Sequence, residues 1–166
     1  GAIDDTEGGN TGRTNVSAKF NKQWKSNWKT TDQLYFSNYH FNLYSNFTFF
    51  LDDPINGDMI NQRESRNIFG YNTTAAKSYL IGNKRATTEL GGGFRHDDVD
   101  GIELSKAVKR EFLEYVQLGD VKETNSFLYV NQDVELSNKW NLNAGLRYDN
   151  FTFQYKDRLA GATSFD

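Results

Sequence analysis

Hydrophobic and polar side chains alternate with a period of two through much of this chain, most persistently in residues 34–51, LYFSNYHFNLYSNFTFFL. The odd positions are Tyr35, Ser37, Tyr39, Phe41, Leu43, Ser45, Phe47, Phe49 and Leu51, and the even positions include Asn38, His40, Asn42, Asn46 and Thr48. A strand projects successive side chains to opposite sides, so the odd set predicts an apolar, aromatic face and the even set a hydrogen-bonding one. A helix would spread both sets around its circumference. At about 3.3 Å per residue the run spans roughly 60 Å, far longer than a strand of an ordinary globular sheet.

Weaker copies flank it. In residues 13–24, Val16, Ala18, Phe20 and Trp24 alternate with Asn15, Ser17, Asn21 and Gln23. In 86–97, Leu90, Gly92 and Phe94 alternate with Glu89, Gly91, Gly93, Arg95 and Asp97. In 127–136, Leu128, Val130, Val134 and Leu136 alternate with Tyr129, Asn131, Asp133 and Glu135. In 140–149, Leu142, Ala144, Leu146 and Tyr148 alternate with Asn141, Asn143, Gly145, Arg147 and Asp149. Residues 68–81 are strand-like without a clear facing, which makes about six long strands in all. Short polar turns are predicted at 24–28, 82–85 and 137–140, and long polar loops at 52–67 and 98–125. Within the second loop, 103–118 reads either as a helix with Leu104, Ala107, Val108, Phe112, Tyr115 and Val116 on one face, or as a strand.

The composition narrows the class. With 19 basic and 22 acidic residues the net charge is -3, which argues against a nucleic-acid partner. There is no cysteine, so disulfides and thiolate metal sites are excluded. One proline, 18 asparagines and 15% aromatics with 37% hydrophobic residues suit strands having one apolar and one wet face. No apolar run is long enough for a transmembrane helix, but a transmembrane strand needs apolar residues only at alternate positions. Short turns at one end, long loops at the other, and Trp24, Trp28 and Trp140 beside the short turns describe a transmembrane β-barrel with an aromatic girdle. A soluble β-sandwich is the competing architecture. If the short turns are periplasmic, both chain ends fall on the opposite side, whereas a complete bacterial barrel has its termini in the periplasm. The expectation is therefore an antiparallel meander forming a partial segment of a larger barrel. Residues 1–12 carry no basic start or apolar run of a signal peptide.

The chemistry is that of a wall. Glu89, Arg95, Asp97, Asp133, Glu135, Arg147 and Asp149 fall on the wet faces of their strands and are expected to line a lumen, pairing across strands. The run Gly91-Gly92-Gly93 relieves crowding in a curved strand. The acidic clusters Asp52, Asp53, Asp58 and Asp97, Asp98, Asp100 lack an EF-hand pattern and read as loop solvation, and no metal site is expected. His40 sits on the hydrophilic face of its strand and His96 on the opposite face of its own, without zinc spacing. No nucleophile elbow, catalytic Cys or HExxH occurs, so neither enzyme activity nor a cofactor is expected. Candidate ligand contacts in the loops are Arg63, Arg66, Lys106, Lys109 and Arg110 with Tyr115. Cations and aromatics there would suit an anionic ferric siderophore or, equally, lipopolysaccharide phosphates.

Tyr129-Val130-Asn131-Gln132-Asp133, Leu136 and Leu142-Asn143-Ala144-Gly145-Leu146-Arg147-Tyr148-Asp149 resemble a hairpin inside the barrel of TonB-dependent outer-membrane receptors. Residues 91–98, GGGFRHDD, resemble the strand that precedes it, and residues 119–125, GDVKETN, resemble the hairpin entry in receptors of Bacteroidota type. The resemblance covers 86–156 by motif and 13–85 by rhythm. It implies that residues 1–166 are part of a 22-stranded barrel in the outer membrane of a Gram-negative bacterium, without the plug and without the TonB box. The partners implied are lipid, the rest of the barrel, the plug, the TonB complex acting through the absent N-terminal region, and a scarce nutrient such as a ferric siderophore. Transport by this piece alone is not expected. A small adhesive or structural outer-membrane barrel and a soluble carbohydrate-binding sandwich are the alternatives.

Overall fold

Period-two runs rich in Tyr, Phe, Val and Thr fit a pleated surface, and each becomes a strand that pairs with its chain neighbours. The computed structural model describes residues 4–161 and 163–165. Its long strands are β1 (Gly8–Gln23), β2 (Trp28–Ser45), β3 (Ile60–Ile81), β4 (Lys84–Val108), β5 (Glu111–Ser137) and β6 (Trp140–Asp157). A three-residue β7 (Thr163–Phe165) follows. All belong to one antiparallel sheet in the order β1-β2-β3-β4-β5-β6-β7, a meander without helix among the described residues. Residues 1–3 of the opening stretch, and Asp166, lie outside the described residues.

The three short turns form where expected. Asn27 adopts φ 62° in the first and Gly82 φ 61° in the second, the left-handed geometry that tight hairpins require. The opposite end departs from expectation. No long loop spans 98–125: β4 continues to Val108, and β5 returns after a turn in which Lys109 (φ 50°) and Arg110 (φ 70°) are both left-handed. Residues 103–118 are thus extended on both sides of that turn. Their apolar spacing permits a helix, but β3 supplies a ladder as far as Ile60↔Lys106, and this long-range pairing satisfies the backbone. The other long loop occupies 46–59 rather than 52–67, since β3 already begins at Ile60. Phe47, Phe49 and Leu51 therefore belong to a loop and not to a strand face.

Register sorts the side chains. One cross-strand row runs Ala18↔Leu34↔Tyr71↔Phe94, and others join Leu90↔Val130↔Leu146 and Val134↔Leu142. This apolar face also carries Val16, Phe20, Phe36, Phe69, Leu128 and Tyr148, with Trp24, Trp28 and Trp140 beside the short turns. The alternate face carries Arg66, Glu89, Arg95, Asp97, Asp133, Glu135, Arg147 and Asp149.

That register overturns the facing read for β2. Tyr35, Tyr39, Phe41 and Leu43 pair with Gly70, Arg66, Glu64 and Gln62, so the odd positions share the charged face. The even positions Leu34 and Phe36 share the apolar face, and Asn38, His40 and Asn42 continue it beyond its apolar part. Aromatic content misled because the even face changes character partway along the strand, while the odd face carries aromatics throughout.

The far margin of the apolar face slopes. Val16, Phe36 and Phe69 end it in one row, which continues as His96, Thr124 and Thr152. On β4 the last apolar residue of this face is Phe94, just short of His96, and on β5 and β6 it is Leu128 and Tyr148, one step further from Thr124 and Thr152. A fall of roughly 13 Å across roughly 24 Å of sheet corresponds to a strand tilt of about 30°, near that of transmembrane barrels. Polar groups within the apolar zone are tied to the sheet. Asp32 accepts hydrogen bonds from Tyr71 at 2.6 Å and Thr73 at 2.8 Å, and Gln132 accepts one from Thr88 at 2.6 Å.

No second layer covers this face among the described residues. Leu128, Leu146 and Tyr148 are 68%, 78% and 68% exposed, while the buried apolar residues among those described are Met59, Ile68, Ala86, Val99 and Ala107. A sandwich would bury one face against another sheet; this sheet leaves a broad apolar surface open.

Candidate functional site

The charged face is organised by intrastrand and cross-strand pairs. Residues two apart on a strand share a face, so Arg95 reaches Asp97 with two hydrogen bonds at 2.6 and 2.7 Å, and Arg147 reaches Asp149 with two at 2.8 Å. Asp97 is buried, and a second guanidinium, Arg66, approaches it at 3.2 Å while donating to Glu64 at 2.8 Å. A buried carboxylate is costly unless compensated, and two guanidinium groups with directed hydrogen bonds compensate it. On the neighbouring strands, Arg13 donates to Ser37 at 3.2 Å, and Arg147 lies 4.0 Å over the Phe127 ring.

Tyrosines lie flat across glycines on the same face. A Cβ added to Gly70 would stand 2.0 Å from the Tyr35 ring, and one added to Gly91 2.2 Å from the Tyr129 ring. Tyr129 donates to Glu89 at 2.6 Å. The glycine run thus makes room for a cross-strand neighbour, Tyr129 over Gly91 and Leu128 over Gly92. Arg13, Arg66 and Arg95, with Tyr35 and Tyr39, form a guanidinium- and hydroxyl-bearing zone on this face, in which Arg66 and Arg95 are paired with Glu64 and Asp97. Arg13, Tyr35 and Tyr39 were missed as site residues. The spacing of two between Arg13 and Asn15 was the available signal for the first, and the misread facing of β2 hid the tyrosines.

The seven residues Glu89, Arg95, Asp97, Asp133, Glu135, Arg147 and Asp149 do share one face. The six loop candidates do not converge. Arg66 is on the charged face, whereas Arg63 pairs with Asn42 and so extends the apolar face. Tyr115, opposite Ser105, lies with Arg63. Lys106 is paired with Glu114 at 2.8 Å, which raises its pKa. Arg110 is spent on the carbonyls of Thr6 and Glu7 at 2.6 and 2.9 Å, and Lys109 occupies the turn beside it.

The carboxylates of Asp53 and Asp58 in the 46–59 loop are already engaged. Asp58 accepts from the backbone N–H groups of Leu51, Asp52 and Asp53 at 2.9, 3.1 and 2.7 Å. Asp53 accepts from Asn56 and Ile55, and these bonds, the Asn56 N–H foremost, hold its pKa below the usual carboxylate range. His40 and His96 lie on one face of the sheet rather than on opposite kinds of face, and His96 bonds Thr124 at 2.8 Å.

The family model "TonB dependent receptor-like, beta-barrel" matches residues 1–166. The chain belongs to the TonB-dependent receptor family. A comparison with the curated protein sequences finds no match. Among solved structures, the sheet superposes on the ferric citrate transporter FecA in its unliganded form with a TM-score of 0.77 and 11% identity, covering 92% of this chain and 22% of that one. It superposes on the ferric-catecholate import receptor Fiu from E. coli K12 in an open form with a TM-score of 0.72 and 10% identity, over 92% of this chain and 27% of that one. A closed form of Fiu gives a TM-score of 0.67 and 12% identity, over 92% and 25%. This receptor segment spans about a quarter of the length of the structures it matches. At these identities the likeness is one of fold. Members of the family are outer-membrane barrels, receptors and transporters rather than enzymes.

Proposed function

We propose that this chain is a stretch of barrel wall in an outer-membrane receptor that imports a ferric siderophore. The apolar face meets lipid, and the charged face lines the lumen. The observation that carries the placement is the single-layer sheet whose open face is apolar between the tryptophans and a sloping polar margin, for which lipid is the matching solvent. Its free edges on β1 and β6 join the rest of the barrel, because unpaired strand edges are not stable in hydrocarbon. The plug and the TonB complex act on the assembled receptor and not on this segment alone.

The ligand reading is supported by the Arg13, Arg66 and Arg95 zone. Guanidinium groups beside tyrosine hydroxyls suit an anionic chelate through charge-assisted hydrogen bonds. The neighbouring folds named for ferric citrate and ferric-catecholate import are consistent with an iron chelate. The test is uptake of radioactive iron by cells carrying the parent receptor. Replacing Arg66 and Arg95 together by Ala, with Asp97→Asn so that no buried carboxylate is left unpaired, is expected to reduce accumulation from an anionic ferric chelate about tenfold at unchanged receptor level, a ratio set by losing hydrogen bonds to a charged group. Uptake equal to that of the wild type would refute the ligand assignment.

A further inference from the structure

Above its polar margin, the face that carries the apolar zone does not become a plain hydrated wall. A bulge interrupts the β3–β4 and β4–β5 registers around Gly101, which adopts φ 63°. At the tip of the β4–β5 arm, Arg110 reaches the carbonyls of Thr6 and Glu7, which precede β1, and stacks 5.6 Å over the Tyr44 ring. The arm is thereby held over β1–β3, and a cleft of about 520 Å³ opens beneath it. Asn10, His40, Asn42, Arg63, Glu103 and Tyr115 line it, drawn from five different strands.

The chemistry of the cleft is mixed: Asp100 and Arg158 also line it, but they are paired with each other, and Arg158 with Asp120 as well. Arg63 is 61% exposed and holds Glu103 only loosely, at 3.8 Å, so its guanidinium has donors to spare. Asn42 accepts a hydrogen bond from Asn61 at 2.6 Å, which fixes its amide and leaves its own NH₂ available. The His40 ring lies flat over Gly12, where an added Cβ would stand 2.1 Å from it. Amides, a carboxylate and an aromatic ring suit sugar hydroxyls and a pyranose face, and Arg63 with His40 suits a phosphate.

Position selects the source of such a ligand. His40 and Asn42 are four and six residues beyond Phe36 on the same face, roughly 13 and 20 Å along the strand. A cleft there opens toward the outer leaflet and away from the lumen. We propose that this cleft binds the phosphorylated saccharide headgroup of an outer-leaflet glycolipid, seating the receptor in its leaflet. The proposal rests on the membrane placement given above but is independent of the imported nutrient.

The experiment uses the parent receptor purified from membranes and placed in nanodiscs containing lipopolysaccharide or phosphatidylethanolamine alone, with bound lipid counted by native mass spectrometry. The wild type is expected to retain lipopolysaccharide stoichiometrically, and Arg63→Ala and Asn42→Ala each to reduce retention about tenfold, the ratio for losing one hydrogen bond to a charged group. Lys106→Ala, whose lysine is paired with Glu114 away from the cleft, should leave retention unchanged. Heat-modifiable migration on gels verifies that each variant is a folded barrel, and Arg63→Lys is expected to restore part of the retention. Unaltered retention in both cleft variants would overturn the proposal. So would equal affinity of the cleft for the detached soluble oligosaccharide, which would make it a site for free sugar. Loss of retention with ferric-chelate uptake intact would separate this site from the lumenal one.

Discussion

The half of the sheet near the short turns and the half beyond the polar margin are made by different forces from the same strands. From Trp140 to Asp149 on β6, Trp140, Leu142, Ala144, Leu146 and Tyr148 stand on one face and Asn141, Asn143, Arg147 and Asp149 on the other. Here the solvents on the two sides specify the register, because a slip of one residue would exchange every side chain between them. Beyond the margin the former apolar face turns polar while the other keeps Tyr39, Phe41 and Leu43 among charges, so facing alone fixes nothing. Shape is set there by particular ties: Arg110 to Thr6 and Glu7, Asp58 to three backbone N–H groups, and Arg158 to Asp100 and Asp120. The lower half should therefore respond to polarity at each position, and the upper half to loss of individual contacts.

The largest effect is expected from placing charge on the apolar face. Leu146→Arg or Leu90→Arg, on the cross-strand row in the middle of the apolar zone, should cost about 2–4 kcal/mol at mid-bilayer in the parent receptor and prevent assembly, read as loss of the heat-modifiable band. Asn143→Arg and Leu43→Arg, both on the charged face, should assemble normally. Failure of Leu43→Arg alone would restore the opposite facing for β2.

Overpacking the charged face comes next. Gly70→Ala or Gly91→Ala displaces a tyrosine ring, which typically costs about 1–3 kcal/mol. Reversible folding into lipid vesicles under urea would measure it. Tyr35→Ala should remove most of the penalty of Gly70→Ala, and an undiminished penalty would show that the ring is not the obstacle.

Cutting the tie at the arm is smaller. Arg110→Ala should leave assembly intact and weaken the arm by about 1 kcal/mol, the usual worth of a net hydrogen bond. Amide exchange in 103–118 should quicken while the strands between the tryptophans and the margin keep their protection. Equal quickening in both halves would erase the contrast between them.

The smallest effect is a pH dependence of the arm. Asp120 has its pKa lowered from 3.8, chiefly by the hydrogen bond from Arg158, with the Gly101 N–H adding to it. The stabilisation is therefore present above the unfolded value and is lost as pH falls through the lower folded one. Acid titration should loosen the arm below about pH 4, an interval set by ordinary carboxylate values, and Asp120→Asn should abolish that step.

Much of the lower half was legible in the sequence. The strands, the three tight turns, the tryptophans beside them and the common face of Glu89, Arg95, Asp133, Arg147 and Asp149 all follow from period two and turn chemistry. The upper half was read poorly, for reasons that are physical. Register shifts at Val99/Ile102, Leu104/Ser105 and Lys106/Ala107 interrupt the alternation that marks a strand, and Lys109-Arg110 lacks the Gly or Asn of an ordinary left-handed turn. The candidates Arg63, Arg66, Lys106, Lys109, Arg110 and Tyr115 were grouped as one loop. Extension of β3, β4 and β5 instead sends Arg63 and Arg66 to opposite faces, while side-chain ties occupy Lys106 and Arg110. The facing of β2 failed because Tyr35, Tyr39 and Phe41 are aromatic yet stand among charges.

The most direct measurement is a spin-label scan of β2 in the parent receptor in bilayers, a clean experiment in a segment without native cysteine. Labels at positions 34 and 36 should be reached by oxygen dissolved in lipid and shielded from a water-soluble nickel chelate. Labels at 35, 37, 39 and 41 should be shielded from lipid, and those at 38, 40 and 42 should be open to the chelate. Lipid contact at 35, 39 and 41, or no contrast between 34 and 35, would contradict the two-faced wall described here.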